Sequence, residues 1–96
     1  MDADEIRTLL VDNIFERAKK YRKRIQQSTC TVNADGVRHI SAMVQGSGGS
    51  YYYTQAWLRE NGSFVSASCS CPYNQNGEGT YCKHIGALLL DDAEKN

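Results

Sequence analysis

The 96-residue sequence has no excess of charge of either sign, no long apolar run and no internal repeat. Eleven basic and eleven acidic residues cancel, and 41% of the residues are hydrophobic, which is too apolar and too weakly charged for a disordered chain. No apolar stretch approaches the roughly 20 residues of a membrane span, so no membrane partner is expected. The first residues do not run from positive charge into an apolar segment, as a secretory leader would. A soluble, cytoplasmic protein is therefore expected, with one domain and a thin core. Domains of this size bury a modest share of their surface, so a metal or a crosslink supplies a large part of their stability. Four cysteines are present, and in a reducing compartment closely spaced cysteines near a histidine point to metal rather than to disulfides.

The cancelled charge is unevenly spread. Asp2, Asp4 and Glu5 open the chain and Asp91, Asp92 and Glu94 close it, whereas basic residues dominate positions 17–83. Ile6, Leu10, Ile14, Ala18, Tyr21 and Ile25 fall on one stripe roughly 120° wide, which predicts a single amphipathic helix. Asp2 or Asp4 would cap it, and only Arg7 sits awkwardly in the stripe. Residues 1–27 are thus read as an N-terminal helix and basic segment, and residues 28–96 as the rest of one compact domain. In that remainder, β-branched and aromatic runs at 28–32, 37–45, 51–58 and 63–71 are separated by turn signals, including Asp35-Gly36 and Asn61-Gly62. Short turns imply antiparallel pairing, hence a four-stranded meander. Alternation in the last strand places Val65, Ala67, Cys69 and Cys71 on one side and Phe64, Ser66 and Ser68 on the other. Pro72 stops that strand, residues 73–80 read as a loop, and a short helix runs from Lys83 to near Asp91.

Cys69-Ser70-Cys71 and Cys82-Lys83-His84 together offer three thiolates and one imidazole, a full tetrahedral set for zinc. Residues i and i+2 of a strand converge on one side, but inside a helix they diverge by about 200°. Cys82 is therefore expected just before the last helix and His84 in its first turn. A disulfide between Cys69 and Cys71 would be badly strained and would leave His84 without a reason for its place. Four protein donors leave no open position on the ion, which makes it structural and argues against an enzyme. The fold class expected is α+β: the N-terminal helix, the antiparallel meander, and a short C-terminal helix tied to the last strand by zinc.

At these residues the chain resembles the SWIM zinc finger, whose pattern is Cys-x-Cys, a variable loop, Cys-x-His and a short apolar helix. Here it reads Cys69-Ser70-Cys71-Pro72, then Cys82-Lys83-His84-Ile85-Gly86-Ala87-Leu88. Upstream, Ala18 to Tyr21, Ile40 to Ala42 and Val44-Gln45-Gly46-Ser47 are similar to the region before the finger in bacterial Swi/Snf-type helicase-like ATPases. Arg22-Lys23-Arg24-Ile25 departs from the glycine-led turn usual there. The resemblance spans roughly residues 17–90 and implies binding of DNA or protein, not catalysis. A motor core of several hundred residues has no room in this sequence, so it is expected to be a piece of a larger ATPase or a free-standing adaptor.

Two partner classes follow. DNA would be held without sequence choice by Arg17, Lys20, Arg22, Lys23, Arg24 and Lys83, since no groove-reading set of side chains is recognisable. A protein, such as a neighbouring ATPase domain, would instead dock on an apolar or aromatic sheet face, the isolated domain being a monomer. Tyr51, Tyr53 and Trp57 share one face and Tyr52 the other, and core is the expected place for most of them. Cys30 reads as a small buried hydrophobe rather than a spare ligand. His39 has no acid–base partner nearby in sequence, and Gly46-Ser47-Gly48-Gly49 lacks the lysine and helix of a phosphate loop.

Overall fold

A computed structural model of the chain describes residues 1–10, 12–72 and 81–95. Helix α1 spans Ala3–Leu9, α2 Asp12–Tyr21, and a 3-10 turn Arg22–Arg24 leads into the sheet. The sheet comprises β1 (Ile25–Val32), β2 (Arg38–Gln45), β3 (Tyr51–Leu58) and β4 (Phe64–Cys69), and the last helix, α3, is Lys83–Lys95. The strands lie in sequence order and every neighbouring pair is antiparallel. The expected meander is present. The expected loop at 73–80 lies outside the described residues.

The single N-terminal helix expected from the apolar stripe is divided. A reciprocal capping box starts α1: the Asp2 carboxylate accepts from the Glu5 N–H at 2.9 Å and the Glu5 carboxylate from the Asp2 N–H at 3.1 Å. Leu10 then turns extended (φ −117°, ψ 151°). The break answers the misfit of Arg7. In one continuous helix Arg7 would enter the buried stripe; with the phase reset at Leu10 it stays exposed, its guanidinium 5.6 Å from the Phe15 ring centroid. Ile6, Leu10, Ile14 and Ala18 all remain buried, joined by Phe15. Ile25, expected at the end of the helix, opens β1 instead, opposite Val44. A bulge at Gln27 (φ 55°) resets the register before Thr29.

One face of the sheet is covered by α3, which packs Ile85, Leu88 and Leu89 against Ile40, Ala56 and Leu58. On β3 the covered residues are Tyr52, Thr54, Ala56 and Leu58. Tyr51 and Tyr53 are exposed and Trp57 is half-buried, so three of the four aromatic residues lie on the outer face, against the expectation that most of them are core. The alternation expected for β4 is corrected too. Trp57 pairs with Ser66 but Leu58 with Phe64, so Val65 bulges out, exposed, and Phe64 joins Ala67 and Cys69 on the core side. Helix α3 also continues past Asp91. Each carboxylate in its acidic end meets a cation: Asp91 meets Lys95, Glu94 meets Arg22, and Asp92 takes a bidentate bond from Arg38 at 3.0 and 2.9 Å.

Where α3 crosses α2 the backbones approach closely at Gly86. A Cβ there would stand 2.7 Å from the Ala18 Cβ and 2.8 Å from Leu10 Cδ1. Glycine costs a helix about 1 kcal/mol relative to alanine, so its presence reflects the space and not propensity. Gly86→Ala should therefore destabilise the fold by about 1–2 kcal/mol, overpacking outweighing the propensity gain. Urea unfolding of the zinc-loaded protein reads this directly, and an unchanged or higher midpoint would contradict the close-packing account.

Candidate metal centre

Cys69 ends β4, so Cys71 lies two residues past the strand that was expected to contain it, and both sulfurs nevertheless reach the same cluster. Cys82 directly precedes α3 and His84 is the second residue of that helix. The donor atoms of Cys69, Cys71, Cys82 and His84 lie within 4.8 Å of one another, and all four residues are buried. Zinc–sulfur bonds of about 2.3 Å in a tetrahedron separate two sulfurs by about 3.8 Å, which this spacing accommodates. The His84 Nδ1 is 3.8 Å from the Cys69 Sγ, so Nδ1 is the nitrogen facing the cluster. The four expected ligands are thus brought together, and their donor set fits zinc.

The surrounding polar groups favour anionic sulfur. The backbone N–H of Cys71 bonds to Cys69 and that of Ile85 to Cys82. Thr54, directly opposite Cys69 in the β3–β4 pairing, places its Oγ1 3.4 Å from the Cys69 Sγ. The Cys82 thiol, followed by His84 and Thr54, holds Cys69 well below the ordinary thiol range, overcoming burial that pushes it up. Cys82 is pushed up by the same contact and by burial. The two sulfurs thus compete over one negative charge, and a divalent cation removes that conflict by stabilising all three as thiolates.

The imidazole of His84 is set by two tyrosines. Tyr52 lies at 5.0 Å between ring centroids and Tyr21 at 5.5 Å, nearly edge-on at 84°. Its Nε2 is buried and has no hydrogen-bond partner among the described residues. Tyr21 in turn has the Arg24 guanidinium and the Lys83 ammonium each 4.8 Å from its ring centroid. Burial pushes the Tyr21 phenol up, but hydrogen bonds with Lys83 and Ser47 and the nearby cations bring it below its ordinary value. Beside the cluster lies a cavity of about 150 Å³, whose lining includes Arg17, Gly46, Ser47, Tyr52, Lys83 and His84. Sequence reasoning missed Tyr21, Tyr52 and Thr54 around the site. Only Thr54 had a readable signal, through the register that sets it opposite Cys69.

The six basic residues separate into groups. Arg17 and Lys83 line the cavity, and Arg24 borders it by donating to the Gly46 carbonyl at 3.1 Å. Lys20 and Lys23 are exposed, while Arg22 is paired with Glu94. Cys30 is exposed rather than buried, because it sits on the edge strand β1, and its Sγ is 3.8 Å from the Arg38 Nη1. His39 stacks on Trp57 at 4.8 Å and bonds Gln55 at 2.8 Å, on the outer face of the sheet.

Residues 52–92 match the family model of the SWIM zinc finger, a segment that contains all four ligands. Comparison with curated proteins and with solved structures gives no match.

The four-donor site predicts one zinc per chain. Cys71→Ser should lose stoichiometric zinc, whereas Cys30→Ala should keep it, since Cys30 lies outside the cluster. Elemental analysis of the purified variants against wild type checks both. A full zinc equivalent in Cys71→Ser, or its loss in a folded Cys30→Ala, would mean the ligand set is wrong.

Proposed function

We propose that this SWIM-type chain is a non-enzymatic binding module in which zinc is structural and the cationic side beside it contacts the phosphates of DNA without sequence choice. The observation that carries this reading is the clustering of Arg17, Arg24 and Lys83, which come from α2, the 3-10 turn and α3 to one side of the metal centre. Among the described residues no carboxylate forms an ion pair with any of them. Unpaired cations converging from separate elements make a favourable surface for phosphate, and a scattered solvated face does not. Saturation of the ion by four protein donors supports the non-enzymatic part. The upstream resemblance supports service as an accessory module of a larger Swi/Snf-like ATPase in the cytoplasm.

A second reading, a free-standing protein adaptor, draws on the outer face of the sheet. Its strand positions carry no lysine, arginine or carboxylate, and Tyr51, Tyr53 and Trp57 are displayed there. Interfaces between proteins are rich in tyrosine and tryptophan and poor in charge at their centres.

Salt separates the two readings. Phosphate contact changes log K against log salt by about −0.9 per phosphate on duplex DNA, while an uncharged interface responds little. Alanine at Lys20, Lys23 and Arg24 together should flatten that slope by up to about 3 units. Arg22→Ala should alter it far less, because Glu94 already neutralises that guanidinium. Titration of labelled duplex at several salt concentrations provides the readout. No measurable binding of duplex or single strand at low salt would end the nucleic-acid reading and favour the adaptor.

A further inference from the structure

We propose that the cavity beside the metal centre seats one phosphomonoester, the terminal phosphate of a nucleic-acid strand; this rests on the nucleic-acid reading above and names the group that reading would place there. Arg17 and Lys83 enter the cavity wall from α2 and from the start of α3, and Ser47 from the turn between β2 and β3. Arg24 stands at its border, fixed by its bond to the Gly46 carbonyl. The cavity, at about 150 Å³, has room for a phosphate group and a few waters.

Charge selects a monoester over a diester. Three thiolates and a zinc ion carry one net negative charge. Set against the three cations, this leaves an excess of about two, close to the −1.5 to −2 of a phosphomonoester at neutral pH. An internal phosphodiester carries half that charge and must let the strand leave in two directions, which suits a flat cationic surface better than a recess.

A buried donor points the same way. With zinc held on Nδ1, the neutral His84 imidazole would carry its proton on Nε2, and this nitrogen has no hydrogen-bond partner among the described residues although His84 is only 4% exposed. It faces the wall at Gly46, where a Cβ would stand 3.6 Å from Nε2 and 2.6 Å from the Tyr52 ring. Only glycine leaves this wall thin. An unsatisfied buried donor beside a cationic recess is the mark of a site completed by an acceptor from outside, directly or through one water.

The test uses zinc-loaded protein without free metal and two single-stranded oligonucleotides that differ only in a 5′-phosphate or a 5′-hydroxyl. The phosphorylated strand should bind roughly tenfold more tightly, as expected for added charge-assisted hydrogen bonds. Arg17→Gln and Lys83→Gln should each remove that preference, with zinc content and circular dichroism unchanged. Lys20→Gln should weaken both strands alike and keep it. Inorganic phosphate at matched ionic strength should shift the backbone amide resonances of Ser47 and Lys83 and compete only with the phosphorylated strand. Equal affinity for the two strands, with salt-dependent binding intact, would overturn the seat and leave the nucleic-acid reading standing. Phosphate-induced shifts without binding of any oligonucleotide would overturn the nucleic-acid reading and make a free phosphomonoester the occupant. Neither shifts nor preference would overturn the seat outright.

Discussion

Three sulfurs and an imidazole nitrogen gathered within 4.8 Å in a buried site need a cation beside them if all three sulfurs are to carry charge. As thiolates the sulfurs repel; as thiols they give up the only charge that would bind a cation. The upward displacement of Cys82 and the downward one of Cys69 are two sides of that conflict. Zinc resolves it, and in doing so joins the end of β4 to the start of α3. Much of the remaining architecture hangs on this junction, because α3 is the element that covers the inner face of the sheet and receives α2 at Gly86. In small fingers zinc contributes apparent free energies of about 10–16 kcal/mol, as large as the whole stability of an ordinary domain.

The same junction organises the surface. His84 is held by the cluster on one edge and by Tyr21 and Tyr52 across its ring, and Tyr21 is where α2 hands over to the 3-10 turn. Lys83, between the two ligands that open α3, and Arg24, from that turn, both stand over Tyr21. The metal centre thus lies beside the place where Lys83 and Arg24, from separate parts of the chain, meet over Tyr21. Arg22, in the same run of basic residues, is directed to Glu94 and serves the packing of α3. Position in a basic run did not distinguish structural from available cations; the partner of each side chain did.

Most of the fold was legible because its signals are short-ranged. The Asp-Gly and Asn-Gly turns, the order of the four strands and the two-residue spacing of the ligands each depend on a few neighbouring residues, and each appears where expected. What escaped depends on a break in period. Leu10 keeps its place in the apolar stripe while leaving the helix, so the stripe gave no hint of the break except the misplaced Arg7. The bulge at Val65 exchanges its face with Phe64, and alternation alone has no means of announcing an extra residue. Tyr51, Tyr53 and Trp57 lie outside the core because α3 covers only one face of the sheet. That is a tertiary fact, unreadable from the strand itself, and the same holds for the exposure of Cys30 on an edge strand.

Hydrogen exchange of the backbone amides with and without zinc tests most directly whether the metal holds α3 to the sheet. With one zinc per chain, the amides of residues 86–90 should be among the slowest to exchange, matching those of β2 and β3. After chelation they should lose that protection and exchange near the rate of an unfolded chain. Protection of α3 that survives complete removal of the metal would contradict the account, since the apolar contacts of Ile85, Leu88 and Leu89 would then suffice to hold the helix in place.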